Sequence, residues 1–339
     1  MADTRYDVAT IGNAIVDIIS RADDKFLQNQ GLAKGAMTLI DADRASALYR
    51  EAGPAIEASG GSAANTAAGV ASLGGRAAFI GKVADDQFGG LFRHDIRAAG
   101  VAFDTPQAVD GPPTARSLIF VTPDAQRTMQ TYLGACLSLT PADVKPETIK
   151  QSKVVYLEGY LWDPPQAKEA FLQAARIAHG AGRKVALTLS DSFCVERHRA
   201  SFRDLVENHI DILIANEMEI CSLWQVQSFD AALQATRGKC EVAALTRSEK
   251  GAVIFADGEL HVVDAARVDK VVDTTGAGDL FAAGFLYGYA VGCSLFDAGR
   301  IGAIAAAEVI SHIGPRPQVR LADLLPADLR SPARQVARS

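Results

Sequence analysis

The run Asp273-Thr274-Thr275-Gly276-Ala277-Gly278-Asp279 gathers groups that can manage a migrating anion. Three small residues in succession leave backbone N–H groups uncovered where a helical pattern begins. The first turn of a helix offers those groups no internal acceptor, and the aligned peptide dipoles favour negative charge there. A phosphoryl group in transit suits such a place. Asp279 sets a carboxylate beside it, where it can take a proton from an attacking hydroxyl. A bare G-x-G-D would describe a tight turn with a capping aspartate equally well. The whole seven-residue run, between a predicted strand and an apolar helical stretch, favours the chemical reading. No G-x-x-x-x-G-K-[ST] occurs, and the G-x-G lacks the third glycine of a dinucleotide fingerprint. A second cluster, Gly60-Gly61-Ser62-Ala63-Ala64-Asn65, opens an alanine-rich helical pattern. Its glycines let a ligand approach the backbone, and Asn65 offers both a donor and an acceptor.

Positioning these groups requires an alternation of strands and helices. Strand patterns occur at Tyr6–Gly12, Ala77–Gly81, Val154–Glu158, Lys184–Leu189, Asp211–Ala215, Val242–Thr246, Ala252–Phe255 and Val268–Val272. Helical patterns occur at Ser62–Leu73, Phe88–Ala99, Pro165–His179, Glu196–Asn208 and Ala231–Arg237. Such alternation predicts an α/β fold with a mostly parallel central sheet covered on both faces, and ligands at the carboxyl ends of its strands. Residues near 13–45 and near 108–135 depart from it and read as additional β structure. Ser117–Thr122 and Thr128–Tyr132, joined by a turn at 123–126, predict a small β-sheet laid over one edge as a lid. The charge-free stretch Leu280–Phe296, interrupted by Gly292-Cys293-Ser294, reads as a core helix rather than a membrane span. One domain over 1–326 is expected, with an Arg-rich flexible tail over 327–339.

Composition narrows the function classes. The 339 residues are 48% hydrophobic and 22% charged, an ordinary globular balance. With 34 Lys and Arg against 40 Asp and Glu, the net charge is −6. That balance argues against a nucleic-acid or membrane-surface partner. Five scattered cysteines without a C-x-x-C fit a reducing cytoplasm better than a disulfide framework or zinc site. The N-terminal apolar stretch is broken by Asn13 and Asp17 and reads as a buried strand, not a signal peptide.

Residues 273–284, D-T-T-G-A-G-D-L-F-A-A-G, resemble the C-terminal signature of the PfkB or ribokinase-like family of carbohydrate and nucleoside kinases. Residues 60–89 resemble its N-terminal signature. The resemblance runs from about Tyr6 to about Arg316. It implies a ribokinase-like three-layer sandwich with a β lid, and ATP-dependent phosphorylation of a primary hydroxyl. By resemblance, Asp279 is the base, and the N–H groups of Gly276, Ala277 and Gly278 hold the transferred phosphoryl group. Arg127, on the lid, reaches that group. Asn13 and Asp17, with Gly61 and Asn65, face substrate hydroxyls. Asn216-Glu217-Met218-Glu219 resembles an N-x-x-E element that sets Asn216 and Glu219 near hydrated Mg²⁺. Thr246 to Gly251 resembles a T-x-G-x-x-G nucleotide loop in which Ser248 replaces the first glycine. Asp273 and Thr275 neighbour a possible K⁺.

Within the family the N-terminal block is closest to adenosine kinases. Gly12-Asn13-Ala14-Ile15-Val16-Asp17, Gly35 to Asp41, and Gln126-Arg127-Thr128-Met129 carry that likeness. Leu189-Ser190-Asp191-Ser192-Phe193 resembles a segment supplying a ring-stacking phenylalanine, and Met37 stands where animal adenosine kinases have glutamine. The expectation is therefore an ATP- and Mg²⁺-dependent cytoplasmic kinase, monomer or homodimer, acting on the 5′-hydroxyl of a nucleoside, adenosine above all. The alternatives are a sugar kinase acting on ribose or fructose and a non-catalytic ligand sensor on the same fold.

Overall fold

The apolar runs resolve into two sheets of very different size. The structure is a computed structural model that describes residues 4–330, apart from 125 and 257. In chain order the strands are β1 (Tyr6–Ile11), β2 (Ile15–Arg21), β3 (Met37–Leu39), β4 (Ala55–Gly60), β5 (Ala77–Ile80), β6 (Val101–Ala102), β7 (Ala115–Val121), β8 (Arg127–Tyr132), β9 (Ser152–Glu158), β10 (Lys184–Thr188), β11 (Ile212–Asn216), β12 (Val242–Thr246), β13 (Ala252–Ala256) and β14 (Glu259–Val263). The main sheet has nine strands in the order β14-β13-β12-β11-β10-β9-β1-β5-β6. It is parallel from β6 to β12 and ends in an antiparallel hairpin, β13–β14. This is the mixed α/β architecture, a large mostly parallel sheet plus a smaller one, that the sequence predicts.

Its strands are apolar on both faces because both faces are covered. Val8, Val154, Tyr156, Ala186, Ile212 and Ile254 pack toward the helices Ser62–Ser72, Gln87–Ala98, Ala277–Ala290 and Leu295–Val309. The alternate residues Ile11, Val155, Leu157, Val185, Leu187 and Leu213 pack toward Pro165–Gly180, Ser192–Asn208 and Glu217–Trp224. Each large side chain sealed this way contributes roughly 1.5–3 kcal/mol. Within Ala277–Ala290 the stretch from Leu280 to Gly288 is buried all round, which explains why that stretch carries no charge. Ser294 caps the next helix through the Asp297 N–H at 3.1 Å, so the break falls at the predicted Gly292-Cys293-Ser294. Among the described residues no helix is long and apolar enough to cross a membrane. All five cysteines are unpaired.

The smaller sheet runs β3-β8-β7-β2-β4. Leu118 and Phe120 of β7 cover Leu27, Ala45 and Leu48, which come from Asp24–Asn29 and Ala42–Glu51. These helices correct the expectation of β structure throughout 13–45. Their signal was local: Asp23 and Asp41 each accept a hydrogen bond from the backbone N–H three residues on, at 2.7 and 2.8 Å. β4 lies outside both expected lid stretches and pairs with β2.

Val268–Val272 is not a strand. The hairpin strand β14 is the edge of the sheet here, and the segment does not pair with it. The Val272 N–H instead bonds Ile310 O at 2.8 Å, tying the segment to the end of Leu295–Val309. The chain stays anchored beyond 326, where Ala327–Leu329 forms a 3₁₀ turn and Leu329 is buried. The rest of the expected tail, 331–339, lies outside the described residues.

Candidate active site

The parallel strands end on one side of the molecule, and the singled-out polar residues collect there. Asn13 follows β1, Glu158 closes β9, Asn216 closes β11 and Thr246 closes β12. Ala277–Ala290 enters this side N-terminus first, with Gly276 as its N-cap at φ +80°. The Gly276 and Gly278 N–H groups have no partner among the described residues, whereas the Ala277 N–H bonds Thr274 O at 3.2 Å. Two of the three expected amides are therefore free. A Cβ on Gly278 would meet nothing within 4 Å, so that face is open.

Asp279 stands in the first turn with both carboxylate oxygens engaged. Oδ1 accepts from Ser62 Oγ at 2.6 Å and Oδ2 from Asn65 Nδ2 at 2.8 Å. Burial pushes its pKa up, and these two bonds together with the charge of Arg316 oppose that rise. The Asn65 Oδ1 is left buried without a partner among the described residues.

The segment 59–62 makes one contact of the site per residue. Ser59 O and Oγ accept from Arg316 Nη2 at 2.8 and 3.1 Å. A Cβ on Gly60 would lie 2.3 Å from the Asp17 Cγ. Gly61 has φ +95°, and a Cβ there would lie 2.2 Å from Asn13 O, so only glycine fits. Ser62 reaches Asp279. Asp17 is buried, with its carboxyl pushed up to about 7 by burial against the pull of Arg316 and Arg127. Asn13 is buried as well. Its Nδ2 donates to Glu158 Oε1 at 2.7 Å, and its Oδ1 has no partner among the described residues.

The residues expected to meet the nucleotide lie at and just past the ends of β11 and β12 on the same side. Asn216 and Glu219 form a reciprocal capping box. Asn216 Oδ1 accepts from the Glu219 N–H at 2.9 Å, and the Glu219 carboxylate accepts from Asn216 N and Nδ2 at 3.0 and 2.6 Å. Glu219 is buried rather than a surface helix residue, and burial with Asp191 and Asp279 nearby pushes it to about 7. Among the described residues no group of three or more His, Cys, Asp or Glu could hold a metal ion directly. Ser248 takes φ +52°, the left-handed value natural to the glycine it replaces. Gly251 closes that loop at φ +79°. Thr246 pairs with Asn216 in register across β11 and β12.

Three further residues lie where the sequence alone could not place them. Phe193 is 72% exposed, which excludes the core phenylalanine it could equally have been. Met37, on β3, is 52% exposed. Arg127, at the start of β8, forms an ion pair with Asp273. The Asp273 carboxylate also accepts from the Thr275 and Gly314 N–H groups at 3.1 and 2.9 Å. The residue expected on the lid and the residue expected beside K⁺ are thus partners.

Sequence reasoning missed Glu158 and Arg316. Glu158 is almost fully buried and is pushed to about 7 by burial, while its oxygens accept from Asn13 and from the Ala63 N–H at 2.8 Å. Its signal was a charged residue ending the apolar run V-V-Y-L-E. Arg316, pushed down to about 10 by burial, is surrounded by Asp95, Asp17 and Asp279. It lies 37 residues past Asp279, and only the fold brings it back.

Relatives share this framework. The description "pfkB family carbohydrate kinase" matches residues 38–320, well over half of the chain. The crystal structure of adenosine kinase from Sinorhizobium meliloti is 57% identical, with a TM-score of 0.88, covering 98% of this chain and 99% of that one. A probable sugar kinase protein from Rhizobium etli CFN 42 is 56% identical with the same TM-score of 0.88, covering 98% of this chain and 99% of its own. Fructokinase-1 from Oryza sativa subsp. japonica is 30% identical over 248 residues, 70% of this chain and 75% of the relative. With a carboxylate at the head of a buried helix, open glycine amides beside it and this span of likeness, the chain belongs to the pfkB family of carbohydrate kinases and is an ATP-dependent phosphotransferase.

Proposed function

We propose that the enzyme transfers the γ-phosphoryl group of ATP to the 5′-hydroxyl of a nucleoside, adenosine first. The observation that carries the chemistry is Asp279, held by Ser62 and Asn65 beside the open face of Gly278. Asp279 accepts the hydroxyl proton as the oxygen attacks. The bond to the γ-phosphorus forms while the bond to the β–γ bridging oxygen breaks, and ADP leaves. The Gly276 and Gly278 amides hold the charge on the γ-phosphoryl oxygens, joined by that of Ala277 once it leaves Thr274. Positioning and electrostatics are what phosphoryl transfer asks of a protein.

Mg²⁺ fits this cleft as a hydrated ion. Asp191, Glu219 and Asp279 concentrate negative charge there, and Glu219 would hold the ion through water. When bound, Mg²⁺ neutralises phosphate charge. The Asp273 carboxylate is committed to Arg127, Thr275 and Gly314, which leaves the Thr275 hydroxyl and backbone oxygens for K⁺. Asn13, Asp17 and Asn65 face the sugar hydroxyls. Phe193 and Met37, both uncovered by the protein's own packing, supply apolar surface for a purine, where an aromatic face adds roughly 0.5–1.5 kcal/mol.

A sugar kinase is the second reading, favoured by the 56% identical probable sugar kinase protein. ADP release measured with adenosine, inosine, ribose, fructose and 2-keto-3-deoxygluconate separates the two. Adenosine should give the highest kcat/KM. A free sugar exceeding it tenfold overturns the nucleoside assignment, and binding without ADP release across the panel overturns the kinase reading of the site.

A further inference from the structure

The helix Ser192–Asn208 is bent. His198, at φ −122° and ψ 19°, interrupts the helical run and divides it into a front piece, 192–197, and a rear piece, 199–208. No glycine or proline lies between Ser192 and Asn208, so the cause is a side chain. Ser201 Oγ donates to His198 O at 2.9 Å, a local bond of the kind that competes with the helix's own ladder. Trp162 Nε1 donates to Ser201 Oγ at 2.8 Å and holds it in that place.

The bend is gripped from a second side. The His198 ring bonds one Asp163 oxygen through Nε2, and Arg197 Nη2 reaches the other at 3.2 Å. Adjacent residues, Trp162 and Asp163, therefore govern the carbonyl and the ring of the same histidine. Behind the bend, Phe202, Leu205 and Val206 anchor the rear piece in the core. The Phe202 ring packs against the rings of Trp162 and His198, with centroids 6.0 and 6.2 Å away.

The front piece leans on the same short segment. Cys194 Sγ donates to Gly159 O at 3.2 Å, and the Tyr160 N–H donates to Ser190 Oγ at 3.1 Å. Gly159 follows directly on Glu158, the buried acid that closes β9. Phe193 stands on the front piece with its side chain largely exposed. The angle at His198 thus sets where that ring stands relative to the end of β9.

We propose that His198 and Asp163 are positioning residues, whose bond fixes the angle of the front piece and so holds the Phe193 ring in place for the base of the acceptor. They act through Phe193 and not on the reacting atoms. A partly exposed ion pair adds little to global stability, so what this one supplies is direction. With the bond broken the ring must be ordered at the moment of binding, and affinity falls. This inference rests on the reading above in which Phe193 meets a purine.

The test is a double-mutant cycle on the whole enzyme. KM and kcat for adenosine are measured for the wild type, Phe193→Ala, His198→Ala, the double variant and His198→Gln, whose amide can still donate to Asp163. Phe193→Ala and His198→Ala should each raise the KM for adenosine about 3- to 10-fold, with kcat and the KM for ATP within about twofold of the wild type. The double variant should stay within about twofold of Phe193→Ala, because no ring is left to direct. His198→Gln should recover most of the loss. Losses that multiply in the double variant mean that His198 acts on the fold and not through Phe193, and they overturn the proposal, as does an unchanged KM in His198→Ala. If Phe193→Ala leaves the KM for adenosine unchanged, or the wild type prefers a free sugar, the purine reading itself fails and the positioning role falls with it. If His198→Ala does not fold, Asp163→Ala carries the same cycle.

Discussion

Asp17, Glu158 and Glu219 are acids that burial pushes up to about 7 in the folded protein. In the unfolded chain such groups titrate near 4. Between those values the folded state binds more protons, so their contribution to stability is full below about pH 4 and is lost as pH rises toward 7. Asp17 is the informative one, since among the described residues it is paired only through charge. Asp17→Asn should melt at a higher temperature than the wild type at pH 8, by about 1 kcal/mol or more in stability, with the gain shrinking toward pH 4. The same variant should lose acceptor affinity. Thermal melts across pH check the first expectation and the KM for the acceptor checks the second. A variant less stable at pH 8 would mean that the ionised carboxylate supports the apo fold.

Local runs of sequence carry some elements and not others. The helix Ala277–Ala290 and its capping glycine were legible because small residues, a carboxylate and an apolar run follow one another directly. Asn216 and Glu219 were legible as a pair, and the capping box shows that they also close a helix end. The edge strand β14 was not legible, since an exposed strand carrying Glu259 and His261 lacks a buried pattern. Val268–Val272 has the composition of a strand, but its backbone bonds to the end of Leu295–Val309 instead. Arg316 and Glu158 could not be ranked, because a lone charge reveals its burial only when distant segments meet. The loop Thr246–Gly251 supplies a prediction at this scale. Ser248 at φ +52° carries strain that glycine would not. Ser248→Gly should stabilise the protein by up to about 1 kcal/mol and leave the KM for ATP equal or lower. Calorimetry and ATP titration check it, and a lower melting temperature would show that the serine hydroxyl matters more than the backbone strain.

Across the whole molecule, the smaller sheet and the anion loop are joined by the Arg127–Asp273 ion pair, both partners being largely buried. If the smaller sheet acts as a lid, this pair seats it and helps exclude water from the phosphoryl group. Arg127→Ala should lower kcat about 10- to 100-fold and raise ADP release in the absence of acceptor relative to productive turnover. Unchanged coupling of ADP release to product would separate Arg127 from closure.

The most direct measurement is single-turnover phosphoryl transfer by Asp279→Asn with bound Mg·ATP and adenosine. Asparagine keeps the shape and can still bond Ser62, but it cannot take the hydroxyl proton. The rate should fall at least about a hundredfold while the Kd for ATP and the melting temperature hold. A rate within a few-fold of the wild type would contradict the account, because the acceptor would then lose its proton without this carboxylate.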